Sequence, residues 1–184
     1  MRVVAGKFRG RAIKSPSSSA IRPTADRLRE ALFNVLVHAY GNPIVGARVL
    51  DLFAGTGALG LEAISRGARF ALFVEDSAEG RALLRENVET FALGGITKIF
   101  RRDATRLGGV HPNEPFSLVF CDPPYRQGLA ERALVCARDG GWLAPGAIAV
   151  VEEAKNAKFA APEGFEELER RAYDDTEFVI LRAT

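Results

Sequence analysis

A chain of 184 residues with 47% hydrophobic content is long enough for one substantial core and short for two ordinary domains, and its net charge of +2 by itself says little about partners. No run approaches the roughly 20 apolar residues of a membrane span, and the opening "MRVVAGKFRG" lacks the apolar stretch of a signal peptide, so a cytoplasmic protein is expected, with no membrane association. Cys121 and Cys136 are too few for a disulfide framework or a four-ligand zinc site, and with two histidines no metal site is expected.

The charge is unevenly placed. Residues 1–40 hold eight Lys and Arg against Asp26 and Glu30, while the remainder is net negative by four. A basic segment joined to a mildly acidic body is what a polyanion-binding arm looks like, because cationic side chains gain by releasing counterions from a phosphate backbone. A solvated basic surface is the alternative reading. Residues 2–14, "RVVAGKFRGRAIK", offer two β-like pieces around Gly6 and Gly10 and predict a hairpin. Lys7, Arg9, Arg11 and Lys14 lie on it and are candidate phosphate contacts. "SPSSSA", residues 15–20, reads as a loop.

From Thr24 the period becomes helical, with Leu28, Ala31, Leu32, Val35, Leu36 and Ala39 on one stripe and Arg27, Glu30, Asn34 and His38 on another. Thr24 is placed to cap this helix, with Asp26 in its first turn. After the "GNP" break at 41–43, strands and helices alternate. The pattern predicts strands at 47–52, 70–75, 96–101, 116–121 and 147–151 and helices at 58–66, 78–92 and 128–138. "FEELERRAY" and "EFVILRA", separated by "DDT", predict a closing antiparallel hairpin. The expected fold is a doubly wound α/β domain over residues 41–184, with a mostly parallel seven-stranded sheet and a small basic extension over residues 1–40. In such a sheet ligands bind beyond the carboxyl ends of the strands.

The first strand runs into "LDLFAGTGALGLEA", with Gly55, Gly57 and Gly60 in a GxGxxG arrangement. Alone that pattern serves dinucleotides, other nucleotide-like cofactors and plain tight turns. Asp51 discriminates, since a carboxylate just before the loop would repel a pyrophosphate on the following helix but suits S-adenosylmethionine, which carries a sulfonium and an ammonium. Phe53 and Ala54 lie on the same loop as candidate cofactor contacts. Glu75, ending the second strand, can accept both ribose hydroxyls of either cofactor. Asp103, after the third strand, is placed to accept from an adenine amino group, with the Ala104 amide nearby for a ring nitrogen. Each acid has a structural alternative as a cap or turn residue; together they favour S-adenosylmethionine.

The fourth strand ends in "CDPPYR", where two prolines remove two donors and fix two φ angles, stiffening the loop in advance. An exocyclic amine on a nucleobase is a poor nucleophile because its lone pair is delocalised into the ring. Asp122 and the Pro123 carbonyl can accept its hydrogens and turn the lone pair toward a methyl donor. Pro123 and Pro124 hold that carbonyl in place, and Tyr125 offers a ring for an extruded base.

These residues resemble the class I S-adenosylmethionine-dependent methyltransferases of Rossmann-like fold that modify exocyclic amines through an Asp/Asn-Pro-Pro-aromatic motif. "RVVAGKFRGR", "IRPTADRLREALFNVL", "DLFAGTGALGLEAISRGA" and "DPPYRQGL", in this order, narrow the resemblance to the RsmD family, which methylates N2 of a guanine in 16S ribosomal RNA. The resemblance implies that Asp51, Gly55, Gly57, Glu75 and Asp103 line a cofactor site and that Asp122 to Tyr125 hold the target guanine. It further implies that Arg22, Pro23, Thr24 and Arg27 border the active site and the RNA, and that the substrate is 16S ribosomal RNA or an assembling small subunit. Ala5, Phe8 and Tyr125 depart from the Gly, Trp and Phe expected there but preserve small size or aromaticity. A monomer without obligate protein partner is expected. Two alternatives share the motifs: a DNA adenine-N6 or cytosine-N4 methyltransferase, and a non-catalytic RNA-binding protein retaining the fold.

Overall fold

The computed structural model describes residues 1–17 and 23–184, with only the backbone of Pro23 and Thr24. Arg22 and the second half of the "SPSSSA" loop therefore lie outside the described residues. Seven strands form one sheet in the order β3-β2-β1-β4-β5-β7-β6. The parallel strands are β1 (Arg48–Leu52), β2 (Phe70–Val74), β3 (Thr97–Phe100), β4 (Phe116–Cys121) and β5 (Leu143–Ala154). The closing hairpin of β6 (Phe165–Tyr173) and β7 (Thr176–Ala183) turns on Asp174 and Asp175 and inserts β7 antiparallel between β5 and β6.

The central strands read as continuous apolar runs because both faces are covered, and alternate residues enter different cores. In β1, Val49 joins the core beneath α1 (Pro23–Ala39), α2 (Ala58–Ser65) and α3 (Ala78–Thr90), while Leu50 and Leu52 join the core beneath α4 (Leu129–Asp139). On that second face Trp142 is fully buried, stacked on Phe116 with centroids 6.0 Å apart, and its indole nitrogen donates to the Gly108 carbonyl at 2.8 Å. Edge strand β6 carries Glu166, Glu167, Glu169, Arg170 and Arg171, charges that oppose edge-to-edge association.

The basic segment is a docked hairpin. Val3 donates to the Arg11 carbonyl and Ile13 to the Met1 carbonyl, both at 2.9 Å, and Val3, Phe8 and Ile13 enter the same core as α1. Fully buried Glu62 of α2 accepts the amides of Val4 and Ala5 at 2.9 and 3.0 Å, and Ser65 accepts from Phe8 through its hydroxyl. Gly6 is required at this junction: its φ is +83°, and a Cβ there would sit 2.0 Å from the Ser65 carbonyl oxygen. Residues 1–17 and α1 thus share a core with the sheet.

Two elements differ from expectation. Helix α1 begins at Pro23, whose fixed φ suits a first helical position, so Thr24 falls inside the helix and not at its cap. Its buried face includes Phe33 and Arg29, while Ala39 is exposed. Strand β5 runs from Leu143 to Ala154, well past the apolar stretch at 147–151, because Glu152 and Glu153 stay in the ladder opposite Phe178 and Glu177 of β7. Among the described residues no helix is long and apolar enough to cross a membrane.

Candidate active site

A cavity of about 710 Å³ opens at the carboxyl ends of the strands, a volume within the usual range for a small-molecule cleft. Its wall has two halves. One is built from the loop after β1 and the ends of β2 and β3; the other comes from α1, β4, β5 and β7.

In the first half, the glycine loop alternates sign, with φ of +57° at Phe53, +55° at Gly55 and +82° at Gly57. Phe53 is held in this unfavourable region by its neighbours, the Ala54 amide donating to the Val74 carbonyl at 3.0 Å. Glu75 accepts the Gly55 amide at 2.6 Å and the Ser77 amide at 3.0 Å, so one carboxylate ties the β1 loop to the end of β2. Asp51 is 1% exposed and accepts the Gly60 amide at 3.0 Å. Burial drives its pKa up to about 8, the Gly60 bond opposes this, and the Glu75 charge adds to it. Asp103 accepts both the amide and hydroxyl of Thr105, at 2.8 and 2.7 Å, and these bonds lower its pKa. It therefore caps a short turn as well as facing the cavity.

Phe53, Ala54, Gly55, Asp51, Glu75, Asp103 and Ala104 all line the cavity. Gly57 does not. It lies beneath the loop, where a Cβ would meet Leu84 at 2.5 Å, so its contribution is to backbone shape and packing.

In the second half, Asp122, Pro123 and Pro124 line the cavity beside Leu28, Arg29, Glu152 and Phe178. Burial first, then the Glu152 and Asp51 charges, raise the pKa of Asp122 well above the carboxylate range, and burial likewise raises Glu152. Tyr125 faces outward onto a neighbouring depression with Arg126 and Lys155. Its hydroxyl donates to Glu152 Oε1 at 2.8 Å and lies 3.0 Å from Thr176 Oγ1. The loop is held once more where Glu153, on the opposite face of β5, accepts the Arg126 amide at 3.0 Å.

The basic candidates separate by environment. Lys7 and Arg9 are exposed on the hairpin tip, Lys7 over the Phe8 ring. Arg11 donates to the Thr90 carbonyl at 2.7 Å and lies 4.4 Å from the Phe91 ring centre, and Lys14 pairs with Glu86. Arg27 is exposed on α1 and does not line the cavity, whereas Arg29, two residues on, does. Arg29 is 5% exposed, bonds Asp26 at 3.0 Å and the Arg2 carbonyl, and pairs with Glu62.

Sequence reasoning missed Met1, Leu28, Arg29, Glu152 and Phe178. The first three become visible only when the hairpin and α1 fold over the strand ends. Glu152 carried a signal, being an acid directly after an apolar run that ends one strand from Asp122.

A Rossmann-like sheet with this order, an acid-flanked glycine loop at the first strand end and an Asp-Pro-Pro-Tyr loop at the fourth define a class I methyltransferase. The family model described as "Conserved hypothetical protein 95" matches residues 1–182. The "Ribosomal RNA small subunit methyltransferase D" of Escherichia coli (strain K12) is 41% identical over 153 residues, covering 83% of this chain and 74% of that one. Among solved structures, Escherichia coli yhhF superposes with a TM-score of 0.83 at 33% identity, over 100% of this chain and 97% of that one. The Thermus thermophilus 16S rRNA N2 G1207 methyltransferase RsmC, in complex with AdoMet and guanosine, gives a TM-score of 0.60 at 26% identity, over 91% and 44% of the two chains. The chain belongs to the RsmD family of ribosomal RNA small subunit methyltransferases.

Proposed function

We propose that the protein transfers a methyl group from S-adenosylmethionine to the exocyclic N2 of a guanine in 16S ribosomal RNA. The observation that carries this is the composition of the cavity: among the described residues, Asp51, Glu75, Asp76, Asp103, Asp122 and Glu152 line it against the side chains of Arg29 and Arg102. Such a wall favours a cationic ligand and opposes a pyrophosphate. Glu75 would hold the ribose, Asp103 and the Ala104 amide the adenine, and buried Asp51 the cationic end. Bound there, S-adenosylmethionine supplies a methyl group on a positively charged sulfur, which leaves with the electron pair of the carbon–sulfur bond.

On the other side, Asp122 and the Pro123 carbonyl accept the amine hydrogens and set its lone pair toward the methyl carbon. The rigid diproline fixes these acceptors before the base arrives, so little reorganisation remains at the transition state. As N2 gains carbon it loses one proton, for which Asp122, with its raised proton affinity, is the acceptor in the loop. Lys7, Arg9, Arg11 and Lys14, with Arg27 on α1, supply the RNA-facing basic surface. The test is incorporation of labelled methyl from S-adenosylmethionine into small-subunit RNA, naked and at successive assembly stages. Incorporation into guanine supports the reading; none at any stage, in protein that binds the cofactor, overturns it.

A further inference from the structure

We infer that Glu152 selects guanine as the base, by accepting the N1–H that lies beside the amino group oriented by Asp122. The inference rests on the methyltransferase reading above and deepens it.

The placement follows from register. Cys121 of β4 pairs with Val151 of β5, so Asp122 and Glu152 occupy the next rung of two neighbouring parallel strands. Residues alternate faces along a strand, and Phe120 and Val150, two positions earlier, both enter the core beneath α1. Asp122 and Glu152 therefore emerge side by side on that face, and both line the cavity with Pro123 and Phe178. Arg29, the cation on that wall, is already engaged by Asp26 and Glu62. Glu152 is also held in place: the Tyr125 hydroxyl, steadied by Thr176, donates to Oε1 at 2.8 Å.

Asp122 and Glu152 are hydrogen-bonded to each other in the free protein, and once the pair is ionised it makes a fixed surface that accepts hydrogen bonds and donates none. Its complement is a base edge with adjacent donors. Guanine presents N1–H next to its N2 amino group. In adenine the ring nitrogen beside the N6 amine carries a lone pair, and in cytosine the one beside N4 does. Glu152 thus rewards guanine with a charge-assisted bond and meets the other two with repulsion, so discrimination has both an attractive and a repulsive part. Because the positive charge that develops on the attacking amine spreads into the ring, a carboxylate at N1–H also stabilises the transition state.

The test uses small-subunit ribosomal RNA, naked and assembled, prepared by ligation with guanine or 2-aminopurine at the methylated nucleotide. The analogue keeps the amine and replaces N1–H by a lone pair. For the native protein kcat/KM should favour guanine by about 10- to 150-fold, the range for one hydrogen bond to a charged group. In Glu152→Ala the preference should fall at least about tenfold, with S-adenosylmethionine affinity by calorimetry within a few-fold of native. Glu152→Gln keeps an acceptor oxygen without the charge and should lose several-fold; it decides the matter if the alanine variant does not fold. A preference unchanged in these variants, while the native protein methylates guanine, overturns this inference alone. Native protein that methylates neither RNA overturns the function reading and this inference with it.

Discussion

Two acids in the cavity have distinct expected signatures. In the proposed reaction Asp122 faces the nucleophile, so Asp122→Ala should lower kcat by about 10²–10³-fold, as loss of one transition-state hydrogen-bonding partner does elsewhere, while cofactor affinity stays within a few-fold. The same proposal places Glu75 on the adenosine, and Glu75→Ala should instead weaken S-adenosylmethionine by about 1.5–3 kcal/mol with a smaller change in rate. Parallel titration calorimetry and single-turnover rates separate the two, and a swap of these outcomes would reassign both residues. Asp51 adds a pH dependence. With its pKa near 8, the acid is largely protonated at neutral pH in the free protein and must ionise to hold a cation. Cofactor affinity should therefore rise as pH rises toward 8 and then level, and Asp51→Asn should flatten that profile. Stability runs the other way: a folded-state pKa above the unfolded value of about 3.9 means stability falls as pH rises between the two. Asp51→Asn should accordingly raise Tm at pH 7.5 while weakening the cofactor, measurable by calorimetric scans across pH.

At the scale of elements, the consequential feature is the clamp between the N-terminal hairpin and α2. Fully buried Glu62 accepts two hairpin amides and pairs with Arg29 and Arg66, so Glu62→Ala removes the partner of several buried groups at once. A loss of about 3–5 kcal/mol is expected, with earlier proteolysis within residues 1–17 than elsewhere. Unchanged denaturant midpoint and proteolysis would show that the hairpin is held by its apolar residues alone. This clamp was not legible in the sequence. Glu62 falls among apolar neighbours on α2 with nothing to mark it, since its partners lie 57 and 58 positions away. The central strands β1, β2 and β4 were legible, because each is a short apolar run between turn residues and buried parallel strands have no other pattern. The end of β5 was not, because Glu152 and Glu153 look like the polar close of a strand until β7 is seen to pair with them. The first half of the cavity wall could be read from Asp51, Glu75 and Asp103, which sit at or shortly after the ends of β1, β2 and β3. The other half could be read in part, from Asp122, Pro123 and Pro124, but α1 and Met1 reach it only through tertiary folding.

For the whole molecule, the proposed function divides the work of attracting a cationic cofactor and a polyanionic substrate between the acidic cavity and the basic hairpin. The hairpin tip is the cleanest probe of the second part. Arg9 is exposed and has no side-chain partner among the described residues, whereas Arg11 also covers Phe91. Arg9→Ala should raise the KM for RNA and reduce the slope of log affinity against log salt by about 0.7–0.9, with Tm unchanged. Arg11→Ala should weaken RNA and lower Tm together. An unaltered salt slope for Arg9→Ala would make this surface merely solvated.

The central claim is the identity of the methylated atom. Small-subunit RNA from cells lacking this protein, methylated by the purified enzyme and analysed by mass spectrometry both as nucleosides and as mapped oligonucleotide fragments, tests it most directly. The expected product is N2-methylguanosine at a single mapped position, absent from the untreated RNA. Methyl groups found on adenine N6 or cytosine N4, or on no nucleoside despite tight cofactor binding, would contradict it.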